Sequence, residues 1–477
     1  MDKQAAPRLR LHRLAAAFAL AWLSLAGGPA AAAGLAKATA EGESPASEAA
    51  RAENNTNNNG SSNNGLRLSG FATLGLTHND NATAGAISSF SQTRPVRQGW
   101  SANLDTVLGL QLEWQLLTQT SLLLQGVARA GEDMQPQLRI AYLRQQLAPG
   151  LSARLGRLRT PLYFDSDIAE IGYANLAVRP ALPLYGMVNS VASLDGGDLQ
   201  YRHNIGDASL LLQAYAGGYD YQHRFHNLNP VQSADASLRG LRGFSLSAHL
   251  PQAMLRFSRT EIDRYTLRSE QVTQLNTGLA QLGGALQQMA SNPQLTQPFA
   301  AALAAKAQAL PALSNPFDNR PIYTSLGADA NWQQWRVLAE LTHMDSRSDL
   351  VGRYRGYSFT LARSWGDFTP YLSVARQQRL GPKLDTSALA PLGLDPALDV
   401  GLSQLRAGLE QAQQFADLST RSFSLGLRWD WRENMALKAQ FDTVQTPDSR
   451  TPGALAVPAL PFVPKLQLFS LTLDLVF

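Results

Sequence analysis

The stretch Leu466-Gln-Leu-Phe-Ser-Leu-Thr-Leu-Asp-Leu-Val-Phe477 alternates without a break. Phe469, Leu471, Leu473, Leu475 and Phe477 share one parity, and Ser470, Thr472 and Asp474 share the other. A period of two describes a strand with one apolar and one polar face. Chain ends of soluble proteins usually fray in polar residues. A strand that stops on an aromatic residue therefore predicts a partner that reads it.

The same pattern recurs from Leu66 onward in segments of about ten residues, the length of a tilted membrane strand. The expected strands are 66–77, 100–115, 120–131, 137–147, 151–159, 198–204, 208–217, 241–250, 252–263, 322–331, 334–345, 355–364, 368–378, 420–432, 435–444 and 465–477. Short, turn-rich connections such as Ala148-Pro-Gly150 and Ile205-Gly-Asp207 alternate with long ones at 78–99, 160–197, 218–240, 264–321, 379–419 and 445–464. Short turns on one side and long loops on the other are the layout of an outer-membrane barrel. The expected fold class is all-β: a transmembrane antiparallel β-barrel of about sixteen strands.

The polar parity carries Arg129, Arg139, Arg154, Arg202, Arg256, Arg336, Arg428, Lys438, Glu113, Glu340, Asp430 and Asp442. Trp114, Trp429 and Trp431 sit on the apolar parity near strand ends, where interfacial girdles form. Lipid outside and water inside accounts for both faces. A secreted soluble all-β protein is the rival reading.

The first residues predict a secretory signal peptide. Lys3, Arg8, Arg10 and Arg13 precede the apolar run Leu14 to Gly27, and Ala31-Ala32-Ala33 offers small residues for cleavage. The run is too short to span a bilayer. Residues 1–33 are read as this signal, 34–65 as a flexible Asn/Ser-rich leader, and 66–477 as the barrel domain. The whole chain has a formal charge of +4, and the signal with its four basic residues and Asp2 accounts for +3 of it. The remaining +1 does not point to nucleic acid. Mean hydropathy of −0.18 excludes a bundle of membrane helices.

Two long loops differ in composition. Ser269 to Ala309 and Asp395 to Leu418 are rich in Ala, Leu and Gln, with helical spacing such as Leu402, Leu405, Leu409 and Ala412. They are expected as helices over the barrel mouth, acting as lids or spacers. His223 and His226 share one loop without an acidic neighbour, so solvated surface is preferred to metal there. No nucleophile elbow, zinc-helix motif or phosphate loop is present, and no cofactor is expected. A barrel hydrolase would need a catalytic set at the rim, and His203, His249 and His343 fall on separate strands.

The third long loop opens with Leu155-Gly-Arg-Leu-Arg-Thr-Pro161, continues through Leu162-Tyr-Phe-Asp-Ser-Asp-Ile-Ala-Glu170 and closes near Leu194-Asp-Gly-Gly-Asp198. With Ala141-Tyr-Leu143 before the turn, its place after the fifth strand and the terminal Phe, this stretch resembles the Gram-negative general porin family. The resemblance covers most of 66–477 in layout and about 140–200 in residue detail. It implies a sixteen-stranded homotrimeric channel whose third loop folds inward and narrows the lumen. By position it implies Asp165, Asp167 and Glu170 as loop carboxylates facing Arg129, Arg139, Arg154 and Arg157 on the wall. Strict alternation from Arg154 turns Arg157 toward lipid, and a bulge at Gly156 would resolve this. The resemblance also makes Phe469 and Phe477 the signal read by the outer-membrane assembly machinery. Its further partners are outer-membrane lipid and lipopolysaccharide, and small polar solutes. Gly70, Ala72 and Gly75 on the first strand add mild support for a trimer face.

The expected function is a non-enzymatic outer-membrane porin that passes small hydrophilic solutes and ions passively. A substrate-selective channel on the same scaffold, or a rim-active barrel hydrolase, are the alternatives.

Overall fold

Every alternating segment forms a strand in the computed structural model, which describes residues 65–226, 231–393 and 395–477. The sixteen long strands are β1 Leu66–Asn79, β2 Val107–Leu117, β3 Thr120–Arg129, β4 Gln137–Ala148, β5 Leu151–Arg159, β6 Ser193–Ile205, β7 Ala208–Phe225, β8 Gln232–Leu250, β9 Ala253–Arg268, β10 Ile322–Trp332, β11 Trp335–Asp345, β12 Arg353–Arg363, β13 Phe368–Leu380, β14 Thr420–Arg432, β15 Met435–Gln445 and β16 Lys465–Val476. Each pairs antiparallel with the next. β16 returns to β1 in register from Phe71↔Val476 to Asn79↔Leu468. Closure satisfies every edge, the condition for spanning a bilayer with strands. The expected signal peptide and nearly all of the leader lie outside the described residues.

The last residue completes that seam. Phe477 N donates to Gly70 O at 2.9 Å, and Gly70 N donates to Phe477 O at 2.7 Å. The Phe477 ring lies so close over Gly70 that a Cβ there would sit 2.5 Å from the ring carbon Cζ. Glycine at 70 and an aromatic residue at 477 are therefore one packing unit on the outer surface.

Alternation sorts the two faces as polarity demands. On β16, Phe469 and Leu471 are exposed, whereas Ser470, Thr472 and Asp474 are buried against the lumen contents. Leu68, Leu74, Leu155, Leu212, Leu246, Leu341 and Leu425 continue the exposed apolar belt around the barrel. A soluble surface rarely carries so continuous a patch. The belt faces lipid, so this is a transmembrane barrel. Trp114, Trp332, Trp335, Trp365 and Trp431 are exposed at the short-turn end, and Phe368 stacks on Trp429 at 5.5 Å. They form the interfacial girdle on that side.

Three sequence expectations need adjustment. The 100–115 strand splits, because Gly99–Ser101 pairs separately with the top of β1 before β2 begins at Val107. Strand pairing between β7 and β8 reaches far into 218–240, since β7 runs to Phe225 and β8 starts at Gln232. The alternation persists there with its sense reversed: Tyr219, Ala236 and Leu238 are buried, while Asp220, Gln222 and Asp235 are exposed. Beyond the bilayer the outside meets water, so the outer face becomes polar. Gly75 does not join Gly70 and Ala72 on the outer face. It points inward, where a Cβ would meet Asp105.

The two Ala/Leu/Gln-rich loops are helical as their spacing requires. The inner-loop helix α1 is Leu182–Val188, and the outer helices are α2 Glu270–Ala290, α3 Gln297–Ala309 and α4 Pro396–Ala416. Ser269 caps α2 by accepting from Val272 N, and Asp395 caps α4 by accepting from Ala397 N, with Pro396 in the first turn. Leu282, Leu286, Leu303, Leu402 and Leu409 pack together, so the outer helices share a core of their own.

Candidate functional site

Between β5 and β6 the chain leaves the wall and crosses the lumen as an inner loop, residues 160–192. Its neck is closed by Thr160 N donating to Ala192 O at 2.9 Å. A loop of this length has many backbone carbonyls and few regular partners, and buried ones must be satisfied. Wall cations satisfy them. Arg428 Nη1 donates to Tyr173 O at 2.7 Å and Asn175 O at 2.9 Å. Lys438 Nζ reaches Gly172 O at 2.7 Å and Asn175 O at 2.6 Å, and it is paired with Asp474 at 3.0 Å. Arg256 Nη1 donates to Phe164 O at 2.8 Å.

Side chains complete the clamp. Glu340 on β11 accepts from Phe164 N at 3.0 Å and from the Tyr185 hydroxyl. Gln440 Oε1 accepts from Val178 N at 3.0 Å and from Tyr371 Oη at 2.7 Å. Arg179, inside the loop, is the central pin. It meets Asp105 at 2.6 Å and Asp442 at 2.6 Å, and donates to Ser470 Oγ at 2.5 Å. These ions are almost wholly buried, and such charges persist only when paired and hydrogen-bonded.

The expected carboxylates and arginines fall into several groups. Glu170 Oε1 lies 2.7 Å from Arg129 Nη2, 2.8 Å from Arg159 Nη1 and 3.8 Å from Arg139 Nε. Glu132, in the connection between β3 and β4, joins at 3.4 Å from Arg139. Burial alone would raise the Glu170 carboxyl, but the three guanidiniums outweigh it and hold it well below the usual carboxylate range. Asp167 bonds Arg256 at 2.6 Å. Although deep in the barrel, its side chain keeps 45% of its surface open to the lumen, and Arg256 lowers its carboxyl against the raising effect of burial.

Arg154 pairs with Asp198 on the neighbouring strand at 2.5 Å, away from the loop carboxylates. Arg157 is apart from all of these. The pairing of β5 with β4 and β6 runs unbroken through Gly156, so the alternation holds and no bulge turns Arg157 inward. It bonds Asp195 at 2.6 Å on the half-exposed outer face.

Asp165 has no arginine partner at hydrogen-bond distance among the described residues. It borders a small cleft of about 80 Å³ that remains between the inner loop and the wall β11–β15. Ser358, Thr360, Ser373, Ser422 and Ser424 line the wall side, with Glu340 and Asp442 among them. Burial, then Glu340 and Asp329, push the Asp165 carboxyl up to about 7. The wall side of the cleft is thus rich in hydroxyls, while Leu176, Ala177 and Leu182 give the loop side an apolar share. Asp165 and Glu340 border the cleft, and Asp442 there is paired with Arg179, which also lines it.

A closed ring of sixteen strands around an inward-folded loop after the fifth strand decides the architecture. This is the fold of a porin-type barrel. No family model matches the sequence, and no curated protein matches it. Solved structures of similar shape include the anion-selective porin from Comamonas acidovorans, 12% identical, covering 86% of this chain and 99% of that one at a TM-score of 0.46. OmpF of Salmonella typhi, in complex with daunomycin, is 11% identical with 87% and 99% covered at 0.48. The outer membrane channel DcaP of Acinetobacter baumannii is 9% identical with 86% and 97% covered at 0.45. Identities this low speak to the fold alone.

Histidines are scattered over this porin-type barrel. His203 is exposed on β6, His249 lies at the short-turn end of β8, and His343 lies near the long-loop end of β11. Among the described residues no group of three or more His, Cys, Asp or Glu is placed to hold a metal. Of the clamp residues, Arg256, Glu340, Arg428, Lys438 and Asp442 were legible as inward-facing charges. Arg179 was not, since no period marks a residue inside an irregular loop.

Proposed function

We propose that the protein is a passive outer-membrane channel for small hydrophilic solutes and ions, and that the cleft between the inner loop and the β11–β15 wall is its constriction. The observation that carries this reading is the cleft between the inner loop and a hydroxyl-bearing wall, bordered by Asp165, Glu340 and Asp442. Hydroxyls and fixed charges replace the hydration of a passing ion and disfavour apolar solutes that must strip ordered water. On this reading Asp165 lines the path, Asp167 and Glu170 hold the loop to the wall, and Arg129, Arg139 and Arg154 set the field behind it. Arg157 acts on the outer face. The acidic cleft favours cations.

The protein assembles as a homotrimer in this account, with Ala72 and the Gly70–Phe477 unit on the outer face of β1 as the candidate contact surface. Residues 1–33 are removed on export, and Phe477 is the element read by the assembly machinery, in keeping with its place at the β1–β16 seam. A substrate-selective version of the same channel is favoured by the helices α2 and α4, which stand on the long-loop side and narrow access.

Planar-bilayer recordings with a panel of salts and sugars test this. Discrete steps of single-channel current with a cation-positive reversal potential are expected. Absence of current from correctly folded protein, together with release of fatty acid or peptide products, would overturn the channel in favour of a hydrolase.

A further inference from the structure

Above the inner loop lies a second, larger chamber of about 540 Å³. Its floor is Leu162 and Val191 of the inner loop, its wall includes Leu241 and Ile262, and its roof includes Val272 of α2 and Phe415 of α4. We propose that this chamber is a binding site for an uncharged aromatic or alicyclic solute of drug-like size bearing one hydrogen-bonding group. The proposal goes beyond the channel reading and does not depend on it.

Three observations carry the proposal. First, the inward face of the β7–β9 extension reverses polarity above the bilayer. Gln213, Ser245, Ser247 and Ser258 face inward below, whereas Leu238, Leu241, Tyr221 and Ile262 do so above. Second, the volume falls in the range of small-molecule sites, about 300–1,000 Å³. Protein interiors do not leave voids of this size by default, and the roof helices fill their own core separately, with Leu286, Leu303, Leu402 and Leu409 fully buried. An apolar lining gives water few partners.

Third, the polar groups of the lining are a minority among apolar ones. Tyr221 and Tyr265 bond each other at 3.1 Å, while ring nitrogens of His223, between Phe90 and Phe225, and of His226 are buried without a hydrogen-bond partner among the described residues. Among the described residues the lining holds no carboxylate and no lysine, and its one guanidinium is Arg224. A cation finds no counter-charge there. An apolar body with a group for His223 finds both.

The test is calorimetric titration of 1-naphthol into the full-length mature protein in lipid nanodiscs, with empty nanodiscs as the blank and glucose as the polar control. Saturable binding to one site per chain is expected, with an enthalpy that becomes more negative on warming, the mark of apolar burial. Phe415→Asp and Leu275→Asp, on different roof helices, should each weaken binding at least tenfold, and His223→Phe by a few-fold. Folding of each variant is checked by heat-dependent gel mobility, so a variant that fails to assemble is replaced by the other. Binding no greater than that of empty nanodiscs would overturn the proposal. So would unchanged affinity in a folded roof variant. Neither result depends on whether the protein conducts.

Discussion

The barrel encloses two chambers of opposite character, one above the other. The lower is crossed by a loop held by buried ions; the upper is walled and roofed by hydrocarbon. Strands β7–β9 face the interior at both levels, with the parity of their inward residues unchanged apart from a register shift between Leu238 and Leu241. What differs is the solvent outside. Where lipid bathes the barrel, the inside must accept the polar residues; where water does, the inside can take the apolar ones.

The comparison can be broken most forcefully at its polar member. Arg179→Met leaves Asp105 and Asp442 buried without a counter-charge, and breaking such a network costs about 3–5 kcal/mol. The temperature at which the barrel loses its folded gel mobility should drop, or the inner loop should detach and raise the conductance. The upper chamber should respond differently. Leu286→Ala in α2 removes a fully buried side chain at a cost of about 2–5 kcal/mol, but the loss stays within the helical roof. Limited proteolysis should cut 269–321 faster while barrel unfolding stays put.

A pH titration separates the chambers next. The Asp165 carboxyl is raised to about 7, so its negative charge enters the cleft only as pH rises past that value. Cation preference from reversal potentials should increase between pH 6 and 8, and Asp165→Asn should flatten the step. The stability consequence has the opposite sense. An unfolded Asp loses its proton near pH 3.9, so between about pH 4 and 7 only the folded chain keeps it, and this group makes stability fall as pH rises. Arg239→Ala gives the smallest effect. Its pair with Asp220 is more than half exposed on the outside of the extension, and such pairs contribute about 0–1 kcal/mol. Thermal unfolding should barely move.

Much of this was readable from residue order. The segment 466–477 alone declared strand, two faces and a closing seam, and all sixteen strands followed from the same period because a barrel wall has to alternate. The helices α2 and α4 announced themselves by spacing and by Ser269 and Asp395 at their starts. The inner loop did not behave this way. Its carboxylates could be named, but which wall residue each one meets depends on the path of an irregular segment. So Glu170 chose Arg159 alongside Arg129, Asp167 chose Arg256, and Asp165 chose none. The extension at 218–240 was misjudged for a different reason: a strand leaving lipid for water keeps its period while exchanging the polarity of its faces, and Asp220 and Gln222 on the outside read as loop.

The central claim is that water and solutes pass between the inner loop and the hydroxyl wall, with the arginine cluster on the far side of the loop. The chain has no cysteine, so single introduced thiols report access cleanly. Ser422→Cys and Gln125→Cys place one on each side of the loop. A small charged methanethiosulfonate reagent in the bath should lower single-channel conductance through Ser422→Cys and leave Gln125→Cys unchanged. A response from Gln125→Cys without one from Ser422→Cys would contradict the account.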